Sequence, residues 1–148
     1  MSETRFDLPR LTPSTFEALN QLTRQAEANA RDSGVDAGLL ELVRLRASQI
    51  NGCGFCQSTH TRQALDEGES EQRLRALPNW PDSDLFTDRE RAALRLAESI
   101  TRLDGGVPDE DYLPAEQHFD EKQLVGLVWT VALINTYNRL AISMSSLN

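Results

Sequence analysis

Apolar residues recur along the chain at intervals of three and four, the repeat of a helix with one buried face. No segment of strand length alternates apolar and polar residues with β-branched enrichment. The pattern predicts an all-α chain. Thr12, with Pro13 behind it, starts a first helix that carries Phe16, Leu19 and Leu22 and runs to about Arg31. Asp32-Ser33-Gly34 breaks it. Asp36 caps a second helix, Ala37 to Gln49, with Leu39, Leu40, Val43 and Ala47 on one side, and the turn dipeptide Asn51-Gly52 follows. A third helix begins near Cys53 and stops at Gly68. Ser70 opens a short helix through Leu77. The stretch Pro78 to Pro81, with Trp80 inside it, reads as a loop, and as far as Asp84 it serves as a hinge between packed helices. Thr87-Asp88-Arg89-Glu90 is a capping box for a helix to about Leu103, ended by Asp104-Gly105-Gly106. Pro108 and the acids behind it open a shorter helix to His118, and Asp120 caps a last helix that reaches roughly Ser145.

In that last helix Leu124, Val125, Leu127, Val128, Trp129, Val131, Ala132, Leu133 and Ile134 cover nearly every side. A helix apolar all round is buried all round. Two arrangements satisfy this: a central core helix within one subunit, or a helix part of which packs against another copy of the chain.

Length and composition narrow the possibilities. The 148 residues, 39% of them hydrophobic, suffice for a single domain over 1–148. A chain of this size buries roughly 70% of its unfolded surface and needs neither a disulfide scaffold nor a structural metal to fold. No run of about 18 apolar residues predicts a membrane span. Met1 to Asp7 lacks the apolar stretch of a secretory leader, so the chain reads as cytoplasmic. With 23 acidic against 15 basic residues the formal net charge is −8. The basic residues are almost all Arg and are scattered, so neither nucleic acid nor an anionic membrane surface is an expected partner.

The candidate chemistry lies in the two cysteines, Cys53 and Cys56. Cys53, Cys56 and His60 fall at i, i+3 and i+7 and share an arc of roughly 60° on one helix face. Unpaired N–H groups at the start of that helix favour a thiolate. His60 sits one turn beyond Cys56, close enough to exchange a proton with it directly or through a water. A base needs an orienting group, and Glu41 on the preceding helix is a carboxylate that could reach His60 from across the turn. A purely structural bridge over so short a loop would contribute only about 2 kcal/mol. Zinc would need four ligands, and His118 is the one further N/S donor, far along the chain. A c-type haem needs His directly after the second Cys, where Gln57 stands. A thioredoxin-type motif must follow a strand, whereas this one follows an amphipathic helix.

The stretch Glu41-Leu42-Val43-Arg44-Leu45-Arg46-Ala47-Ser48-Gln49-Ile50-Asn51-Gly52-Cys53-Gly54-Phe55-Cys56-Gln57-Ser58-Thr59-His60 resembles the core of the carboxymuconolactone decarboxylase superfamily, on its alkylhydroperoxidase D (AhpD)-like branch. The likeness is strong over Leu39 to Leu77 and extends more loosely over Phe86 to Leu140, through Val107-Pro108-Asp109-Glu110 and Ile134-Asn135-Thr136-Tyr137-Asn138-Arg139-Leu140. The resemblance implies an AhpD-like helical bundle that assembles as a homo-oligomer, a trimer or hexamer. It implies a thiol-dependent hydroperoxide reductase that requires no bound cofactor. By the same resemblance Cys56 is the peroxidatic thiol, Cys53 resolves its sulfenic acid into a disulfide, and His60 with Glu41 forms the proton relay. The reductant is then a dithiol partner such as a lipoylated protein or a thioredoxin-like donor. Where the best-known members carry a further His between the cysteines, this chain has Phe55, which removes a polar group from the site. Decarboxylase members lack the redox pair, which argues against lactone decarboxylation here.

The expected cycle follows from that resemblance. Cys56 becomes a sulfenic acid, Cys53 condenses with it, and an external dithiol restores both thiols. Gly54 is expected to let the backbone bend so that the sulfurs meet, and Phe55 and Trp80 are candidates to line an apolar pocket. Two other classes fit the same residues: a thiol-disulfide oxidoreductase or redox sensor with little peroxidase turnover, and a non-catalytic oligomeric scaffold.

Overall fold

The computed structural model describes residues 3–145; Met1, Ser2 and residues 146–148, which the readings of the N-terminus and of the whole span touch, lie outside them. Every regular element among the described residues is helical. In chain order these are α1 (Leu8–Leu11), α2 (Pro13–Asp32), α3 (Ala37–Asn51), α4 (Gly54–Asp66), α5 (Glu71–Ala76), a 3₁₀ helix (Leu77–Asp82), α6 (Asp88–Arg102), α7 (Asp109–His118) and α8 (Glu121–Met144). An isolated bridge pairs Thr4 with Ser145. No helix among the described residues is long and apolar enough to cross a membrane.

Local chemistry sets most boundaries. Thr87 accepts the Glu90 N–H at 3.1 Å while Glu90 accepts the Thr87 N–H at 2.9 Å, a closed capping box for α6. Asp120 and Gln123 do the same for α8, and Ser70 accepts the Arg73 N–H to cap α5. Thr12 and Asp36 precede their helices as expected but make no side-chain capping bond. The stretch around Pro78 and Pro81 is not the expected loop. It winds as two short 3₁₀ turns that meet at a kink at Asn79 (φ −118°, ψ 31°) and bury Leu77 and Trp80. Nor is it a free hinge. Trp80 Nε1 donates to Glu98 at 2.8 Å, and Arg91 donates to the carbonyls of Trp80, Pro81 and Ser83.

The helix buried all round is α3. Leu39, Leu40, Leu42, Val43, Leu45, Ala47 and Ser48 are all inaccessible, together with the charged Glu41 and Arg44. One core forms between α3 and α2, α6, α7 and α8, around Leu39, Leu40, Val43, Leu96, Phe119, Leu127 and Val131. A second forms on its other side from Leu42, Leu45, Leu74, Leu77, Trp80, Phe86 and Leu94. α8 does not fill the role of a fully enclosed core helix. Its Leu127, Val131 and Ile134 face inward, but Val125 is 51% and Trp129 47% exposed, with Val128 beside them. α8 approaches α2 so closely at Gly126 that an added Cβ would lie 2.9 Å from Ala30 Cβ. This close crossing holds the two helices that wall the site.

Candidate functional site

The end of α3 and the start of α4 form one turn, and the turn places the sulfurs. Gly52 closes α3 in the left-handed region at φ 71°, where a side chain would be strained. The Cys53 N–H then donates to the Ser48 carbonyl at 3.0 Å. Cys53 is the N-cap of α4, and its Sγ accepts the Cys56 N–H at 3.3 Å. The two cysteines are joined as a disulfide with Cα atoms 5.3 Å apart, inside the ordinary range for a bridge. Gly54 is not what lets them meet. It lies outside the left-handed region, and a Cβ there would point into open space. The glycine the turn requires is Gly52.

The expected contact between Glu41 and His60 is present. His60 Nδ1 lies 2.8 Å from Glu41 Oε2, across the packed faces of α3 and α4. The other carboxylate oxygen accepts Arg44 Nη1 at 2.7 Å. Glu41 is 5% and Arg44 7% exposed, so the pair is enclosed. Arg44 Nη2 in turn lies 3.5 Å from Glu27 Oε2 on α2. An ionised carboxylate only accepts, so the neutral imidazole must place its proton on Nδ1. That leaves the Nε2 lone pair as the basic position.

His60 and Cys56 line the same cavity, of about 340 Å³. Three helical faces wall it, Phe16, Asn20, Thr23, Ala26 and Glu27 of α2, Phe55, Cys56, Thr59, His60 and Gln63 of α4, and Thr130, Leu133, Ile134 and Tyr137 of α8, and Arg44 of α3 completes the lining. Cys53 is buried outside it, so of the two sulfurs it is Cys56 that faces the cavity. Tyr137 ties α8 to α2. Its hydroxyl donates to Asn20 Oδ1 at 2.8 Å, lies 2.8 Å from Thr23 Oγ1, and its ring meets Phe16 edge to face at 6.4 Å. Phe55 stands at the cavity, 78% exposed. Trp80 does not line it. It is packed in the second core, on the other side of α3. His118, at the end of α7, is not among the lining residues either. Among the described residues no group of three or more His, Cys, Asp and Glu side chains converges in a way that could hold a metal.

Sequence reasoning missed Arg44, Glu27 and the α2 wall. Glu41 and Arg44 stand three apart inside the otherwise apolar run Leu39 to Leu45, and that pairing of opposite charges was a usable signal. Nothing in the sequence marks Glu27 or Asn20 as neighbours of the cysteines.

Comparison with known proteins agrees with this architecture. Residues 13–99 match the carboxymuconolactone decarboxylase family. The uncharacterized protein YdfG of Bacillus subtilis (strain 168) is 40% identical over 121 residues, 81% of this chain and 82% of its own length. The uncharacterized protein YnjA of Escherichia coli (strain K12) is 30% identical over 112 residues, 76% of this chain and 62% of its own. Among solved structures, ATU0492 of Agrobacterium tumefaciens superposes with a TM-score of 0.87 at 31% identity, covering 96% of this chain and 95% of that one. It is a protein of unknown function that has been linked to the antioxidant defence protein AhpD. The debrominase Bmp8 shares the fold, with a TM-score of 0.80 at 20% identity over 93% of this chain and 73% of its own. The chain therefore belongs to the carboxymuconolactone decarboxylase family, on its AhpD-like branch.

Proposed function

We propose that this protein is a thiol-dependent hydroperoxide reductase whose working parts are Cys56, Cys53, His60 and Glu41. The observation that carries the reading is the imidazole of His60, oriented by Glu41 at 2.8 Å, in one cavity with the sulfur of a Cys pair already close enough to bond. The AhpD-like kinship supports an antioxidant redox role for that pair. In the reduced protein His60 Nε2 takes the Cys56 proton. The thiolate attacks the terminal oxygen of the hydroperoxide. An S–O bond forms, the O–O bond breaks, and the alkoxide leaves and takes the proton from the imidazolium. The Cys53 thiol then attacks the sulfenic sulfur, forming the S–S bond and releasing water. A dithiol reductant, of the lipoyl or thioredoxin-like class, is oxidised to its own disulfide and returns both cysteines to thiols.

Steady-state consumption of cumene hydroperoxide with dihydrolipoamide as donor tests this. The wild type is expected to turn over and Cys56→Ser to lose turnover entirely. Equal consumption by the two proteins would sink the peroxidase reading, and ready thiol oxidation without turnover would favour a thiol-disulfide exchange or sensing role instead. The exposed stripe of α8 supports a further proposal, that Val125, Val128 and Trp129 meet a second copy in a homo-oligomer, a trimer or hexamer. Light scattering that gives a monomer mass at micromolar concentration would contradict it.

A further inference from the structure

A line of four ionisable or charged side chains starts at His60, and only its first two members enter the relay proposed above. His60 meets one oxygen of Glu41, Arg44 meets the other, and Arg44 reaches on to Glu27. Arg44 is a permanent cation enclosed within the fold. Its charge cancels that of Glu41. The direct contact with Glu41 still favours the imidazolium, but Arg44 on the far side of the carboxylate weakens that pull, because a nearby net charge of opposite sign also favours the charged form. Glu27 supplies that charge. Glu27, Arg44 and Glu41 sum to −1, and protonating His60 brings the line to zero.

The titratable and charged groups at the cavity are few. They are Glu27 from α2, Arg44 from α3 with Glu41 behind it, Cys56 and His60 from α4, and Tyr137 from α8. Tyr137 is engaged with Asn20 and Thr23, and no carboxylate other than Glu27 lines the cavity among the described residues. We infer that Glu27 sets the charge of the relay that activates Cys56, acting through Arg44, which is a positioning residue for Glu41. The inference rests on the proposed pairing of His60 with Cys56 and extends it to α2, outside the Cys-containing segment.

The test reads the thiol and not peroxide turnover. In reduced protein carrying Cys53→Ser, the pH dependence of iodoacetamide alkylation reports Cys56 alone. The relay predicts a midpoint well below the value of about 8.5 for a free thiol. Glu27→Gln, nearly isosteric, is expected to raise that midpoint by about half to one pH unit, equivalent to about three- to tenfold less thiolate at pH values below it. Glu27→Asp keeps the charge and is expected to stay close to the parent. A Glu27→Gln midpoint that superimposes on the parent, or an equal shift in Glu27→Asp, overturns the role of Glu27 and leaves the relay standing. A parent midpoint near 8.5 overturns the relay itself, and the inference with it.

Discussion

Replacing Glu41 with Gln keeps the volume of the side chain and removes its charge, and the surroundings make the consequence specific. One oxygen of the carboxylate serves Arg44 and the other His60. The amide carbonyl can still accept from Arg44. The amide nitrogen then faces His60 Nδ1, and since it can only donate, Nδ1 must accept and the imidazole proton moves to Nε2. The base is lost because the wrong nitrogen is protonated, the same loss that an Asp→Asn change produces in a Ser-His-Asp triad. A hydrogen bond to a charged group is worth about 1.5–3 kcal/mol, so the imidazolium formed when His60 takes the thiol proton is destabilised by about that much. This corresponds to a fall of about ten- to a hundredfold in the rate at which Cys56 reacts at neutral pH. The fold also weakens, because buried Arg44 then has a neutral carbonyl in place of the carboxylate and keeps only the 3.5 Å contact with Glu27 as an ionic partner. A charge left partly unpaired in this way costs about 1–3 kcal/mol. The assay is single-turnover thiol loss after mixing reduced protein with one equivalent of hydroperoxide, beside a thermal melt. A variant that melts earlier yet oxidises within twofold of the wild-type rate would show that Glu41 is structural and that no relay operates.

Two further expectations concern the frame around the site. Burial pushes the Glu98 carboxyl up, but hydrogen bonds from Arg46 and Trp80 and the charges of Arg46 and Arg102 outweigh it and hold Glu98 below the ordinary range. Glu90 behaves alike, burial being outweighed by Arg73 and Thr87. Groups depressed in the folded state stabilise it above their unfolded value of about 4.3, and that contribution disappears as pH falls through the folded value. Denaturant titrations should therefore show stability falling below about pH 4.3, each carboxylate adding at most about 1.4 kcal/mol per pH unit, and Glu98→Gln should flatten the slope; an unchanged slope contradicts the assignment. At the α2–α8 crossing, Gly126→Ala drives a Cβ to 2.9 Å from Ala30 Cβ and 3.1 Å from its Cα. The overpacking costs about 1–3 kcal/mol, partly offset by the better helix propensity of Ala. Ala30→Gly should restore room, so a double-mutant cycle by chemical denaturation is expected to give a coupling of at least about 0.5 kcal/mol, and strict additivity would refute the contact.

The elements that were legible in the sequence are those fixed by local chemistry. Thr87 with Glu90, Asp120 with Gln123, and Ser70 announce their helices because a cap is satisfied by residues three positions away. The i, i+3, i+7 placement of Cys53, Cys56 and His60 is likewise a property of one helix and its cap, and Glu41 lies on the element immediately before it. What stayed hidden depends on packing between distant segments. Pro78 and Pro81 read as loop signals, and the backbone does kink between them at Asn79, yet Trp80 is buried and bonded to Glu98 and the stretch winds as two 3₁₀ turns. α8 looks more apolar than α3, but α3 carries the second core on its far side and is the one enclosed. A hydrophobic pattern reports which residues can be buried and not which neighbours arrive to bury them. The α2 wall of the cavity follows the same rule, since only the fold brings Glu27 to Arg44, 17 positions on.

The central proposal is that Cys56 takes oxygen from a hydroperoxide and Cys53 captures the product. Counting free thiols in the reduced protein before and after one equivalent of cumene hydroperoxide, with mass-spectrometric mapping of the peptides, examines it directly. Both thiols should vanish together into a Cys53–Cys56 bridge, and in Cys53→Ser the reaction should halt at a sulfenic acid on Cys56. Two thiols still titrating after the peroxide is added, or a sulfenic acid trapped on Cys53 of a Cys56→Ser protein, would contradict it.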